Sequence, residues 1–320
     1  MALQVPILFC VFNRPEHTRR VFESIRRQRP QTLLLVADGP RDIPGESNRV
    51  ARTREIISKV DWPCEVLTNF SSTNMGCKHR IATGIDWAFE QCEQLIILED
   101  DCLPHDSFYG YCQTLLKRFE NNPEVMLIGG NNFQPERRTP HSYFFSRWAH
   151  IWGWASWRRA WQHYDLELKE WQSPGGPKQI QFDSKAESDH WSHVFDLVAN
   201  NKIDTWDFSL QHAVCKNDGL AVYPEKNLVS NIGFGPDATH TIIPTSRSNL
   251  PALDIGELRH NPMLKRNLLA DRWTFENVFY DPAFSSQPPM RRTKWYRRLL
   301  KSVYEASNNT APRSILPART

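Results

Sequence analysis

Short apolar runs alternate with amphipathic segments over roughly the first 130 residues. Five runs have the length of buried strands, at Val5–Phe12, Leu33–Ala37, Cys64–Thr68, Leu95–Leu98 and Val125–Ile128. Between them, apolar residues recur at helical spacing in a segment that begins at Pro15 and in Val50–Val60, Cys77–Phe89 and Phe108–Phe119. Strands that alternate with helices predict an α/β fold, with a Rossmann-like, mostly parallel sheet covered by helices on both faces.

The pattern changes after Asn132. Aromatic residues crowd the segment from Tyr143 to Trp171, a helix is predicted over Glu187–Asn200, and a strand over Leu220–Tyr223. Past Phe284 the chain becomes proline-rich and basic. We therefore divide the sequence into one domain over 1–285, with halves 1–130 and 131–285, and a C-terminal tail over 286–320.

Three consecutive carboxylates, Glu99, Asp100 and Asp101, end the fourth predicted strand. They repel one another and cannot all be buried without partners, so the stretch must meet water or a cation. Mg²⁺ and Mn²⁺ prefer oxygen ligands and commonly take one or two carboxylates together with substrate phosphates. The alternative is an acidic turn in which Asp100 or Asp101 caps the next helix.

Composition narrows the function classes. At 320 residues, with 40% hydrophobic and 23% charged residues, the chain has ample core for a globular domain. A net charge of +3 and the absence of a nucleic-acid-binding motif argue against nucleic acid as a partner. Seven cysteines without a CxxC pair predict reduced thiols and a cytoplasmic location. No apolar run approaches the ~20 residues that span a bilayer.

Several motifs together resemble the GT-A nucleotide-sugar glycosyltransferases. They are Phe12-Asn13-Arg14-Pro15 after the first strand, Asp38-Gly39 after the second, Asn74-Met75-Gly76 before a helix, and Glu99-Asp100-Asp101 in the place of the DxD-type motif. The sequence is most similar to bacterial family-2-like transferases. It is also similar to the N-acetylglucosaminyltransferase I type, which has a Gly-Trp segment and an aromatic-flanked Asp, here Gly153-Trp154 and Trp206-Asp207.

The resemblance implies a metal-dependent glycosyltransferase of the inverting kind that uses Mn²⁺ or Mg²⁺ and a nucleoside diphosphate sugar. Residues 1–130 would then be the nucleotide-binding half, and residues 131–285 the acceptor half. By this analogy Asp101 binds the metal, Asp100 the ribose or metal-bound water, and Glu99 the donor sugar. Asp38 would read the base, and the remaining nucleotide contacts would come from Phe12, Asn13, Arg14 and Gly76.

Lys78, His79 and Arg80 follow Gly76 at the start of a predicted helix. Basic side chains are unfavourable at a helix N-terminus unless an anion lies nearby. This placement favours a phosphate contact by Arg80, and an exposed basic turn is the alternative.

Asp207 is the candidate general base, because an inverting transfer needs a carboxylate to accept the proton of the attacking hydroxyl. Trp206 and Phe208 would partly desolvate it and make it a stronger base. The alternative is a capping Asp for a helix that begins at Ser209. Trp154 is the candidate acceptor contact, with a core position as the alternative, and His240 is a candidate third metal ligand or an ordinary surface histidine.

The tail carries basic residues and aromatics at helical spacing between Arg291 and Tyr304. A basic amphipathic helix suits an anionic membrane surface, which would place the enzyme on the inner face of the cell membrane beside a lipid-linked acceptor. A helix docked on the catalytic domain is the alternative. For the whole chain, we expect transfer to a glycan or lipid-linked acceptor in surface polysaccharide synthesis. A sugar nucleotidyltransferase and a non-catalytic nucleotide-sugar-binding protein are the competing interpretations.

Overall fold

The computed structural model describes residues 3–176, 180–234 and 248–281. His240 and the predicted tail over 286–320 lie outside these ranges. In the described ranges the strands are β1 (Ile7–Val11), β2 (Thr32–Ala37), β3 (Glu65–Phe70), β4 (Gln94–Glu99), β5 (Cys102–Pro104), β6 (Val125–Gly129), β7 (Tyr143–Ser146), β8 (Trp154–Trp157), β9 (Leu220–Pro224) and β10 (Val229–Asn231). The helices are α1 (Pro15–Gln28), α2 (Glu46–Ile57), α3 (Gly76–Gln91), α4 (Ser107–Arg118), α5 (Arg158–Trp161), α6 (Lys185–Ala199), α7 (Asp207–Lys216) and α8 (Leu268–Thr274), which continues into a π-helical turn over Phe275–Phe279.

Eight strands form one sheet in the order β3-β2-β1-β4-β8-β6-β9-β7. Strands β3, β2, β1 and β4 are parallel to one another, and so are β6 and β9. Only β8 and β7 run against their neighbours. The prediction of an α/β fold with a mostly parallel sheet is confirmed.

Alternate residues of the central strands feed cores on opposite faces of the sheet. On β1, Ile7, Phe9 and Val11 pack with residues of α1, α2 and α4. Leu8 and Cys10 pack with residues of α3 and α7. Because successive side chains of a strand point to opposite faces, a strand covered on both sides is apolar throughout, as β1 is. Helices cover both faces, as predicted.

A third core lies in the second half of the chain, where α6 packs on Trp148 and Phe275. Among the described residues, no helix is long and apolar enough to cross a membrane.

The order of the strands marks where a ligand can bind. The chain leaves β1 for β2 and β3 on one side, and it returns with β4 on the other side of β1. Such a reversal opens a crevice outside the carboxyl ends of the two diverging strands, and open α/β sheets bind ligands there. In this protein those ends are Val11 and Glu99.

Candidate active site

Two adjoining cavities open at the carboxyl edge of the sheet. The larger one, of about 380 Å³, has Glu99, Asp101, Asp204 and Asp207 among its lining residues, and we call it the acidic cavity. The smaller one, of about 290 Å³, has Arg14, Arg41 and Arg80 among its lining residues, and we call it the arginine cavity. Both volumes are near the lower end of the range usual for small-molecule sites.

Four residues line both cavities and so mark their junction. They are Arg14, which follows β1, Cys77 in the first turn of α3, Glu99 at the end of β4, and Asp204 in the loop before α7. A ligand that occupies both cavities must pass these side chains. The crevice expected from the strand order is therefore present, with the predicted residues Arg14 and Glu99 at its centre.

Arg14 holds the two aspartates of the acidic triplet. Its guanidinium forms a short ion pair with Asp100 and donates from Nη1 to Asp101 Oδ2 at 3.0 Å. Burial alone would lower the pKa of Arg14, but the carboxylates of Asp100 and Asp101 raise it above its usual value. Arg14 thus remains charged and cross-links the loops that follow β1 and β4.

Glu99 forms no ion pair with any residue in the described part of the chain. Burial and then the charges of Asp101 and Asp100 raise the pKa of Glu99 to about 8. Burial also raises the pKa of Asp100, against the opposing effect of Arg14. Three carboxylates at this strand end therefore face a single guanidinium, and the local excess of negative charge favours a cation.

A second, two-stranded antiparallel sheet of β5 and β10 lies next to the acidic triplet. The Ile232 N–H donates to the Asp101 carbonyl oxygen at 2.8 Å, and Gly233 follows directly. A Cβ at Gly233 would collide with Asp101 Oδ2 and lie only 2.8 Å from Arg14 Nη1, so only glycine allows this approach. This contact fixes Asp101 and Arg14 from the side opposite β4.

The donor atoms suit a divalent cation that arrives with phosphates. Among the described residues, no group of three or more His, Cys, Asp or Glu side chains could hold a metal ion by itself. Asp101 lines the acidic cavity and supplies the hard oxygen ligands that Mg²⁺ and Mn²⁺ prefer, while a diphosphate would supply others. The chain thus fits a shared metal site rather than an all-protein one.

Asp38 organises the loop that begins α3. Its carboxylate accepts hydrogen bonds from the backbone N–H groups of Gly39, Met75 and Gly76 and from Asn74 Nδ2, at 2.8–3.2 Å. Gly39 is required because a Cβ there would collide with the backbone of Thr73. Asp38 lines the arginine cavity, and its oxygens already accept hydrogen bonds from these internal donors, so base reading by Asp38 stays a prediction. Gly76 lines the same cavity, with φ +78°.

Arg80 points into the arginine cavity with donor capacity to spare. Its side chain is 5% exposed and donates from Nη2 to Asn69 Oδ1 at 2.9 Å, while its Nε has no partner. Burial lowers the pKa of Arg80, and Asp38 opposes this effect from a distance without forming an ion pair with Arg80 among the described residues. A buried guanidinium with an unused donor is costly, so an anionic or acceptor-rich ligand would stabilise it. Lys78 instead donates to Asn201 Oδ1 at 2.8 Å.

Phe12 and Arg41 form another wall of the arginine cavity, where the Arg41 guanidinium lies 5.4 Å from the Phe12 ring centroid. Asn13 is not among the lining residues of either cavity. It donates to Glu46 Oε1 at 2.8 Å and so supports the loop before α2. The prediction of a direct nucleotide contact by Asn13 therefore does not match its position.

Asp207 lines the acidic cavity at the first residue of α7, which begins two residues earlier than predicted. Its Oδ1 accepts a short hydrogen bond from Thr205 Oγ1 and another from the Phe208 N–H at 3.0 Å. A carboxylate in the first turn is stabilised by the helix dipole. The N-cap of α7 is Trp206, so Asp207 does not cap a helix that begins at Ser209. Its role as a base stays a prediction, for a carboxylate that lines the cavity.

A stack of aromatic rings holds the backbone next to Asp207. Trp154 stacks on Trp206 with ring centroids 6.1 Å apart, and Tyr164 stacks on Trp161 at 4.0 Å. The Tyr164 hydroxyl donates to the Trp206 carbonyl oxygen at 3.1 Å. Trp154 is only 1% exposed, so it is a core residue and cannot contact an acceptor as predicted. Its neighbour Trp152 lines the acidic cavity instead.

Sequence reasoning missed Arg41, Cys77, Asp204, Trp152 and Phe208 as lining residues. Arg41 lies three residues after Asp38, and Asp204 three before Asp207, so proximity to a motif was a usable signal for both. No pattern in the sequence distinguishes Cys77, Trp152 or Phe208 from ordinary core residues.

No family model matches the chain, and no curated protein matches it. Among solved structures, the mannosyltransferase PcManGT from Pyrobaculum calidifontis in complex with GDP-Man and Mn²⁺ matches 59% of this chain and 51% of its own length, at 15% identity and a TM-score of 0.34. A UDP-glucose pyrophosphorylase complexed with UDP-glucose matches 69% of this chain and 90% of its own, at 10% identity and a TM-score of 0.33.

A cytidylyltransferase from Leptospira borgpetersenii matches 50% of this chain and 63% of its own length, at 10% identity and a TM-score of 0.30. The chain therefore spans about half the length of the mannosyltransferase. The assignment to the α/β class rests on the sheet topology of this protein itself.

Proposed function

We propose that this protein is a metal-dependent, inverting glycosyltransferase that moves a sugar from a nucleoside diphosphate donor to a glycan or lipid-linked acceptor. One observation carries the proposal: an arginine-lined cavity and a carboxylate-lined cavity meet at Arg14 and Glu99, at the switch point of the sheet. A nucleoside diphosphate sugar has a matching division, since its anionic diphosphate adjoins a sugar ring.

The arginine cavity is the proposed nucleotide site. Arg80 and Arg41 offer guanidinium donors to the phosphates or the base, and Phe12 offers a ring edge to the nucleoside. The loop fixed by Asp38 shapes this cavity through Asn74 and Gly76. Asp101 would hold Mn²⁺ or Mg²⁺ together with both phosphates, where the cation would neutralise the charge that develops on the departing diphosphate.

In the proposed transfer, an acceptor hydroxyl oxygen attacks the anomeric carbon as the bond to the phosphate oxygen breaks. The diphosphate leaves with the bonding electron pair, and the carboxylate of Asp207 accepts the hydroxyl proton. One displacement inverts the anomeric configuration. Thr205 and the aromatic stack under Trp206 hold Asp207 in place for this step.

We further propose an acceptor from surface polysaccharide synthesis. The basic tail supports a membrane-bound acceptor, because its spacing suits an anionic lipid surface. Sedimentation with anionic liposomes at low and high salt, for the full chain and for a truncation at Pro289, tests this extension. Equal binding of both forms would contradict it.

A screen of nucleoside diphosphate sugars for slow hydrolysis with Mn²⁺ tests the main proposal. We expect one donor to release a nucleoside diphosphate and free sugar, and EDTA to stop the release. A sugar nucleotidyltransferase would instead form pyrophosphate from a nucleoside triphosphate and a sugar phosphate. A binding protein without activity would give a metal-dependent thermal shift and no product.

A further inference from the structure

The junction of the two cavities bears on the kind of sugar that the donor carries. If the nucleotide occupies the arginine cavity, the sugar attached to its diphosphate lies at the junction and enters the acidic cavity. This inference therefore rests on the proposed function. Cys77 and Asp204 are the junction residues to which sequence reasoning assigned no role, and Asp204 is the one with a carboxylate.

The acidic cavity has a strong excess of negative charge. Glu99, Asp101, Asp204 and Asp207 line it, and Arg14 is the only Lys or Arg side chain among its described lining residues. Arg14 is already paired with Asp100 and Asp101. Among the described lining residues, a further carboxylate would find no unpaired Lys or Arg side chain, and the proposed metal ion would already be held by Asp101 and the diphosphate. Its burial would therefore be unfavourable.

The remaining lining suits the uncharged part of a sugar ring. Trp152 and Phe208 line the same cavity together with Ile151 and Ile203, so the cavity combines apolar side chains with carboxylates. Trp152 is braced edge-to-face by Phe133 at 5.0 Å between ring centroids. A ring with C–H groups on one side and hydroxyl groups at its rim matches a cavity of apolar walls and hydrogen-bond acceptors.

We propose that the donor sugar is a neutral hexose or an amino sugar and not a uronic acid, and that Asp204 is a specificity residue that accepts hydrogen bonds from its hydroxyl groups. Asp204 lies at the junction on the wall formed by the α6–α7 loop, and Glu99 lies at the end of β4. Together they present carboxylate oxygens from two separate elements. A sugar with hydroxyl donors can pair with both, whereas the carboxylate of a uronate would lie beside the Asp204 carboxylate and could not donate a hydrogen bond to it.

The experiment first finds the nucleoside diphosphate that binds in the presence of Mn²⁺, by calorimetry. With that base, it then compares a hexose donor with the matched hexuronic acid, such as UDP-glucose with UDP-glucuronic acid or GDP-mannose with GDP-mannuronic acid. We expect the uronate to bind at least about 100-fold more weakly than the hexose, because its carboxylate would lie among the carboxylates of the acidic cavity.

Asp204→Asn removes the charge and keeps the shape of the side chain, so it should reduce the ratio of hexose-donor affinity to uronate-donor affinity about tenfold. Asp204→Ala should weaken hexose binding by about 5- to 10-fold through loss of hydrogen bonds, with the affinity of the free nucleoside diphosphate unchanged. Asp218→Asn is the matched control, because Asp218 is exposed and is not a lining residue of either cavity. It should behave as the original chain.

Two failures are distinguishable. If nucleoside diphosphate binds and the hexose and uronate donors then bind alike, the sugar inference is wrong while the proposed function stands. If no nucleoside diphosphate binds with Mn²⁺, the proposed function itself is wrong and the sugar inference falls with it. Unchanged discrimination in Asp204→Asn would remove Asp204 from the specificity role.

Discussion

Removal of Arg14 should destabilise the fold severely, because it leaves Asp100 buried without its cation. The Asp100 side chain is 3% exposed, and Arg14 is its ion-pair partner. Breaking a buried pair by removing one partner typically costs about 3–5 kcal/mol. We expect Arg14→Met to lower the free energy of unfolding by about that amount, and Arg14→Lys by less, since it keeps the charge and loses the fork that reaches both aspartates.

Urea denaturation and a double-mutant cycle measure this effect. The pair Arg14→Met with Asp100→Asn removes both charges, so it should recover about 2 kcal/mol or more of the loss of the single variant. Arg26→Met, in the helix that follows Arg14, is the matched control, since the Arg26–Asp61 ion pair is exposed, and it should change little. Equal stability of Arg14→Met with and without Asp100→Asn would refute the reasoning, because it would mean that Asp100 does not need its partner.

Three further predictions concern other residues. Burial raises the pKa of Glu187 to about 7, so the folded state binds a proton more tightly than the unfolded state and the free energy of unfolding falls as pH rises from about 4.5 to 7. Urea titration should therefore show that Glu187→Gln raises the free energy of unfolding by about 2 kcal/mol at pH 8 and changes it little at pH 4.5. Asp207→Asn should lower kcat by about 10²- to 10⁴-fold with donor affinity retained, in steady-state kinetics and calorimetry; normal turnover would move the base elsewhere. Trp154→Ala should cost about 3–5 kcal/mol as a buried aromatic, whereas an unchanged stability would contradict its place in the core.

The first half of the fold was predictable because its strands are covered on both faces. Continuous apolar runs such as that of β1 and helical spacing such as that of α1 are local signals, and they placed β1, β2, β3, β4 and β6 within a few residues of their observed bounds. The acidic triplet was predictable for a similar reason. An apolar run that ends in three carboxylates is visible in the local sequence, without knowledge of distant contacts.

Strands β7 and β8 were not predicted. The β8 sequence Trp154–Trp157 is aromatic and small, buried on both faces, and it inserts antiparallel between β4 and β6. Neither its length nor its periodicity distinguishes it from the other aromatic residues around it. The error on Trp154 follows from this, because a tryptophan in an unrecognised central strand looks like a candidate sugar contact.

The sequence brings Asp204 near Asp207, but its position at the junction of the two cavities depends on a distant contact that the sequence does not show. The α6–α7 loop lies against the start of α3, where buried Lys78 donates to Asn201. Lys78 belongs to the basic triplet that suggested phosphate contact, yet the structure uses it to hold this loop. Pairing over 123 positions of sequence leaves no local signal.

Calorimetric titration of nucleoside diphosphates with and without Mn²⁺ tests the central claim most directly, namely that the acidic end of β4 holds a metal–diphosphate unit. We expect one nucleoside diphosphate to bind with Mn²⁺ and EDTA to weaken this binding strongly. Asp101→Ala should weaken it to a similar degree while the far-UV circular dichroism spectrum stays unchanged. Equally tight binding in EDTA, or an Asp101→Ala variant that binds the Mn²⁺ complex as well as the original chain, would contradict it.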